Sequence, residues 1–255
     1  MDSIAQKPLI SINICTFNRA KLISKAIESA LAQNYLNIEI IIVDDNSTDN
    51  TEEIVKNFTA INPNIFYYKN AGNIGITKNR NFGLQKSQGK YIAVLDSDDY
   101  WLHENKLTEQ VEFLEQNPDY ALVGTFTKVV DSEDKEISTL KPETTDESIR
   151  EKILLQNQFT HSSVLFRKDS LPTYNEKYFI WEDLAAWLDI GRNFKFANLP
   201  KIYTAYKKHG TNISQTRKIK GVRTLGQIIN DHKNHYPHSL KASLKNKLRL
   251  IKSII

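Results

Sequence analysis

Asp96, Asp98 and Asp99 put three carboxylates within four positions, directly after the apolar run Tyr91-Ile92-Ala93-Val94-Leu95. Acids this close repel one another, and burial raises the cost of charging them. A folded chain keeps them where a hard divalent cation or a substrate needs them. For three acids alone, a solvated acidic loop is the plainer reading. A second acidic pair, Asp44-Asp45, ends another apolar run at 38–43 and argues against it. Two strands that both deliver acids at their carboxyl ends describe an open α/β sheet with one shared crevice, where such sheets bind ligands.

The elements that must position these acids follow from periodicity. Residues 9–16 have strand character, and 20–33 carry Leu22, Ile23, Ala26, Ile27, Ala30 and Leu31 on one helical face. The strand at 38–43 is followed by Asp49-x-x-Glu52, the pattern of a capping box opening a helix through Ile54, Val55 and Phe58. A short strand at 65–68, a helix at 76–87 ending near Gly89, and the strand at 91–95 complete a βαβαβαβ order. That order builds a parallel sheet with right-handed crossovers. Beyond Trp101 the rhythm changes: a helix at 104–116, a strand at 121–130, a surface loop at 137–146, a strand at 161–167, a helix at 182–190 and an extended stretch at 194–206. Helical spacing returns in 214–255, at Val222, Leu225, Ile228 and Ile229, and again at Leu240, Leu244, Leu248 and Ile251.

The chain has 255 residues, 40% of them hydrophobic and 25% charged, the balance of a soluble globular protein with a substantial core. No apolar run reaches the ~18 residues of a membrane span, and the N-terminus lacks a secretory pattern, so a cytoplasmic protein is expected. Cys15 is the single cysteine, which fits a reducing compartment; within an apolar run it reads as a buried strand residue. The net charge of +4 is uneven: from Lys195 onward there are fourteen Lys and Arg against one acid, Asp231. Such a tail suits an anionic membrane surface, a polyanionic acceptor or nucleic acid, or is a solvated basic helix pair.

No G-x-G-x-x-G follows the first strand and no G-x-x-x-x-G-K-[ST] occurs, so a nucleotide bound here is held differently from a dinucleotide fold or P-loop. Asp45 can accept hydrogen bonds from a base or ribose, Phe17 can offer a ring face, and a metal at Asp96, Asp98 or Asp99 can neutralise a diphosphate. Taken singly, Phe17 also reads as core, and Asp45 as a cap or turn residue.

Together the motifs resemble the family 2 glycosyltransferases. The resemblance runs in order through Ser11-Ile12-Asn13-Ile14-Cys15-Thr16-Phe17-Asn18-Arg19, Ala26 to Gln33, Ile40-Ile41-Ile42-Val43-Asp44-Asp45-Asn46-Ser47-Thr48-Asp49, Asn73-Ile74-Gly75-Ile76-Thr77-Lys78-Asn79-Arg80-Asn81-Phe82-Gly83-Leu84, Gly89-Lys90-Tyr91-Ile92 and Leu95-Asp96-Ser97-Asp98-Asp99. It is dense over 9–101, sparser to 214 and absent beyond. It implies a GT-A fold, a Rossmann-like α/β mixed sheet flanked by helices, over 1–214, with 1–101 as the nucleotide half, 102–214 as the acceptor half and 215–255 as a basic helical extension. It also implies a nucleotide-sugar donor and a Mn²⁺ or Mg²⁺ ion.

By that resemblance Thr16, Phe17 and Asn18 line the nucleoside pocket, Asp45 recognises the base, and Arg80 lies near the nucleotide. Asp96-Ser97-Asp98 matches the family's D-x-D element, with Asp98 or Asp99 as the direct metal ligand and the other acids on ribose or sugar. Glu182-Asp183 matches the downstream acidic pair, in which the second acid is the catalytic base; without the resemblance, acids there read as the first turn of a helix. His161 falls on the acceptor side with Glu182. His209, in Tyr206-Lys207-Lys208-His209-Gly210-Thr211-Asn212-Ile213-Ser214, resembles a late element that closes over the diphosphate, and its imidazole suits Mn²⁺.

The implied activity is inverting transfer of a sugar, from UDP by family habit, to a glycan or lipid-linked acceptor in surface polysaccharide or lipooligosaccharide synthesis, or to a protein-linked glycan. The basic tail then suits a cytoplasmic enzyme at the inner face of the plasma membrane. Two other classes fit less well. A phosphoacceptor module has an acidic pair like Asp44-Asp45, yet its fold needs only ~120 residues and does not repeat acids at 96–99. A nucleic-acid binder using the tail has only Tyr203, Tyr206 and Tyr236 there, too dispersed to stack bases, so no nucleic-acid partner is expected. The oligomeric state is left open.

Overall fold

A computed structural model describes residues 7–171, 173–210 and 218–254. Strands β1 (Ile10–Thr16), β2 (Ile38–Asp44), β3 (Ile65–Lys69) and β4 (Tyr91–Val94) pair in parallel in the order β3-β2-β1-β4. They alternate with helices α1 (Ile23–Leu31), α2 (Thr51–Ile61) and α3 (Ile76–Lys86). β2 and β4 flank β1 on opposite sides, β4 being reached by α3 after the chain has run out to β3, so a crevice opens at the carboxyl ends of β1 and β4.

The sheet is not all-parallel. Past β4 it continues through β8 (Leu165–Arg167), antiparallel to β4, then β6 (Tyr120–Val130), β9 (Lys195–Lys207) and β5 (Tyr100–Trp101). The expected loop at 137–146 instead holds β7 (Glu136–Leu140), a hairpin partner of β6. Its residues are mostly exposed, which removed the alternating apolar signal. The expected strand at 161–167 begins only at Leu165; His161–Ser163 forms a 3-10 turn in which Ser163 Oγ donates to the Thr160 carbonyl. The capping box is absent: Asp49 accepts from the Thr51 backbone and hydroxyl and from the Ala20 N–H, while Glu52 pairs with Lys56 and Lys69.

Period-two alternation sends Ile10, Ile12, Ile14, Tyr91 and Ala93 to one face, under α1 and α4 (Lys106–Gln116). Ile92 and Val94 go to the other face, under α3, α5 (Asp146–Lys152) and α6 (Glu182–Ile190). Burying each such Ile or Leu is worth ~1.5–3 kcal/mol. The C-terminal helices α7 (Lys218–His232) and α8 (Ser239–Ile254) belong to that second core. Leu225, Ile228, Ile229, Tyr236 and Ala242 lie in one apolar cluster with Leu184, Trp187 and Leu188 of α6.

Polar groups on the inner side of β1 are matched closely. Asn13 bonds Ser87 Oγ, and Ser11 Oγ donates to Glu39 and accepts from the Gly89 N–H. A Cβ on Gly89 would lie 2.6 Å from the Ser11 nitrogen and 2.8 Å from the Leu9 oxygen, so only glycine lets the chain enter β4 here. Cys15 is buried at 9% exposure, and burial pushes its thiol up to about 12, in keeping with an inert strand residue.

Candidate active site

The acids after β2 are used to build the loop walls. Asp44 accepts from Ser47 and from the Tyr67 hydroxyl at 2.7 Å. Asp45 Oδ1 accepts from Asn70 Nδ2 at 3.0 Å and the Ile74 N–H at 2.8 Å, and Oδ2 from the Gly75 N–H at 2.9 Å. It therefore ties the entry of α3 to the end of β2, and Gly75, at φ 88°, makes the turn.

Beside it, Asn18 sits in the left-handed region at φ 52°. Its N–H donates to Ser47 Oγ and its Oδ1 accepts from the Thr48 N–H, which locks the β1 and β2 loops together. Phe17 is 42% exposed on that loop, a ring face open to a ligand rather than core. Thr16 Oγ1 is buried and has no hydrogen-bond partner among the described residues.

The 96–99 turn splits its acids between three directions. Asp96 Oδ1 accepts from Arg80 Nη2 and faces His161 Nδ1, both at 3.0 Å. Burial opposes its ionisation, but His161 and Arg80 outweigh that and hold its carboxyl well below the usual carboxylate range. Ser97 is buried. Asp98 meets His209 Nε2 at 2.8 Å and lies 3.6 Å from Arg19 Nε. Asp99 is buried against Ser162 Oγ and the Lys207 N–H. Burial, then Asp98 and Asp96, push it well above the usual range.

Arg80 is the hub. Its Nη1 pairs with Glu182 and its Nη2 with Asp96, so one guanidinium joins the β4 turn to the first turn of α6. Glu182 is buried, and burial raises its pKa against the pull of Arg80. Asp183 follows it, partly exposed, with Asn157 Nδ2 at 3.4 Å from Oδ2. The backbone before this pair is strained: Trp181 adopts φ 63°, which a bulky residue avoids and which here turns the chain into α6. His161 stacks on Trp187 and approaches the Tyr174 hydroxyl at 3.4 Å.

Arg80, Asp96, His161 and Glu182 thus meet in one network, and Asp98 with His209 forms a second, adjoining group two residues away in the same turn. Asp45 and Asp99 also make contacts within the protein, Asp45 to the 70–75 loop and Asp99 to Ser162 and the Lys207 N–H. No three His, Cys, Asp or Glu side chains among the described residues converge as a complete metal site. Asp98 Oδ2 and His209 Nε2 lie 2.8 Å apart, a carboxylate and an imidazole of the kinds that Mn²⁺ accepts, and Arg19 Nε is 3.6 Å from the same carboxylate oxygen. Residues 211–214 of the late element lie outside the described residues. Arg19, Asn70, Asn157, Ser162 and Tyr174 also shape the site. Arg19 lay within the first motif; Ser162 belongs to the His161–Ser163 turn, and Asn70, Asn157 and Tyr174 enter from loops whose placement needs the fold.

Comparison with known proteins bears on this arrangement. The model of "Glycosyl transferase family 2" matches residues 11–171. The Escherichia coli UDP-Glc:alpha-D-GlcNAc-diphosphoundecaprenol beta-1,3-glucosyltransferase WfaP is 31% identical over 210 residues, covering 82% of this chain and 81% of that protein. Staphylococcus aureus TarS 1-349 in complex with UDP-GlcNAc superposes with a TM-score of 0.72 at 20% identity, over 95% of this chain and 72% of that one. The Pyrobaculum calidifontis mannosyltransferase PcManGT in complex with GDP-Man and Mn²⁺ gives 0.70 at 17% identity, over 96% and 70%. The fold these structures share is the GT-A fold, as the motifs implied, and the chain is a glycosyltransferase belonging to family 2.

Proposed function

We propose that this chain is an inverting, divalent-metal-dependent transferase that moves a sugar from a nucleotide-diphosphate donor, UDP first, to a hydroxyl of a glycan or lipid-linked acceptor. The observation that carries the reading is the Arg80 bridge, which sets the acidic β4 turn and the Glu182-Asp183 pair against one crevice. Its setting is surface polysaccharide or lipooligosaccharide synthesis, on the cytoplasmic side of the membrane bearing the acceptor. WfaP, named for a diphosphoundecaprenol acceptor and UDP-Glc, supports that setting.

Thr16, Phe17 and Asn18 receive the nucleoside, the orphan Thr16 hydroxyl giving it a hydrogen-bonding partner. Asp45 sets the wall beside the base through the 70–75 loop, and Asp96 and Ser97 border ribose or sugar. Asp98 and His209 would hold Mn²⁺ or Mg²⁺, which when bound supplies positive charge to the leaving diphosphate. Asp99, buried and bonded to Ser162, supports the turn.

Asp183, partly exposed in the first turn of α6, takes the proton from the acceptor hydroxyl. Glu182 and His161 shape the acceptor side. A single displacement from an α-linked donor then gives a β-linked product.

A melting screen of nucleotides with and without Mn²⁺, followed by NMR of the product's anomeric proton, tests this. Stabilisation by UDP with Mn²⁺ and a β product are expected. No nucleotide effect, or an α product, would overturn it.

A further inference from the structure

Helix α8 carries Leu240, Leu244, Leu248 and Ile251, exposed at 87%, 62%, 53% and 54%. At 100° per residue these four fall within an arc of about 80°. The opposite face, with Ala242 and Asn246 buried, is the one that packs inward: Asn246 Nδ2 donates to the Val222 carbonyl at 2.9 Å, and Ala242 joins the core shared with α6. The apolar stripe therefore points away from the protein. Lys241, Lys245 and Lys247 are exposed around it, Arg249 and Lys252 add to the charge along the helix, and α8 contains no acid. No helix among the described residues is long and apolar enough to cross a membrane.

We propose that α8 lies in the surface of an anionic lipid bilayer, its Leu240–Leu244–Leu248–Ile251 stripe entering the acyl boundary and its lysines meeting the headgroups. The charge pattern selects this occupant. Pairing α8 with α8 of a second copy would oppose two helices of five cations each, with no acid to offset them. An anionic bilayer supplies the missing negative charge and the apolar phase together.

The helix is also well placed for such work. It is braced by α7, which reaches the acceptor side: Asp231 accepts from Lys177 and Tyr178, and Gly221 passes close to Trp181 ahead of Asp183. Docking rests on the transferase reading for its purpose, since a lipid-linked acceptor is presented at that surface. Its measurement needs neither donor nor acceptor, so the two can fail separately.

The test is co-sedimentation of the full chain with phosphatidylcholine vesicles, without or with about 30% phosphatidylglycerol, at low and high salt. Binding is expected only to the anionic vesicles and should fall with salt. Leu244→Ser and Leu248→Ser should each weaken it about tenfold, and Lys241→Gln and Lys247→Gln about fivefold each. Donor hydrolysis and melting temperature should stay as in the wild type, since all four side chains are exposed. Equal binding to neutral vesicles, wild-type binding by the leucine variants, or light scattering that shows a dimer dissociated by Leu244→Ser would overturn the proposal.

Discussion

Replacing Arg80 by Met removes the only cation hydrogen-bonded to Glu182 among the contacts described, and the size of the loss can be worked out. Asp96 keeps His161 at 3.0 Å and is partly exposed, so most of the penalty falls on Glu182, whose side chain is only 6% exposed. A carboxylate left alone there does not stay charged; it takes up a proton. An unfolded Glu has a pKa of ~4.3, so holding it neutral at pH 7 costs about 3.7 kcal/mol; this is the ceiling on the loss, because the wild type already bears the part set by its own raised pKa. For a chain of this size that ceiling corresponds to a fall of ~7–15 °C in melting temperature.

The sign with pH follows from linkage. Burial raises the folded pKa of Glu182, so in the variant the folded state binds the extra proton. The deficit therefore grows with pH, by up to ~1.4 kcal/mol per unit, and is smallest toward pH 5. Urea unfolding of wild type, Arg80→Met, Glu182→Leu and the double variant between pH 5 and 8 provides the assay. The double variant should recover most of the loss at pH 7. A deficit that does not change with pH, or a double variant no more stable than Arg80→Met, would refute the reasoning and mark Arg80 as a packing residue.

Asp183→Asn should lower kcat by ~10²–10⁴ while the melting shift given by UDP and Mn²⁺ is unchanged; loss of both would make Asp183 a structural acid. Lys106 is buried at the start of α4 with Gln110 Oε1 at 2.7 Å and the Trp101 ring at 4.3 Å, and burial holds its pKa well below the ordinary amine value. The unfolded chain therefore binds more protons between the folded and unfolded pKa values, and stability rises with pH across that window. Lys106→Met should flatten this slope and raise the melting temperature by ~2–4 °C per kcal/mol recovered; a lower melting temperature would contradict it. Gly89→Ala forces a Cβ to within 2.6 Å of the Ser11 nitrogen and should cost at least ~1–3 kcal/mol in urea unfolding; a neutral result would mean that the β1–β4 junction is loose.

The first hundred residues were legible because β1, β2 and β4 are buried on both faces and each crossover helix on one. The strand expected at 9–16 is Ile10–Thr16, and the helix expected at 76–87 is Ile76–Lys86. Beyond Trp101 local pattern lost its hold. β7 is an exposed hairpin arm, and Ser163 closes a 3-10 turn with its own side chain where apolar spacing implied a strand. In α8 the spacing at Leu240, Leu244, Leu248 and Ile251 correctly marked one apolar face, but periodicity does not say what covers a face, and here the fold leaves it outside.

The candidate site divides in the same way. Asp96, Asp98 and Arg80 stood in motifs, whereas Asp99 turning inward to Ser162, and Asn157 approaching Asp183, depend on contacts made by segments more than 25 residues away in the chain.

Calorimetric titration of UDP into wild type, Asp98→Asn and His209→Ala, each with Mn²⁺ and with EDTA, addresses the metal-held donor most directly. Wild type should bind at least tenfold more tightly with Mn²⁺, and both variants should lose that gain while keeping their weak metal-free affinity. UDP affinity that is the same with EDTA as with Mn²⁺, or a full Mn²⁺ gain in Asp98→Asn, would contradict the account.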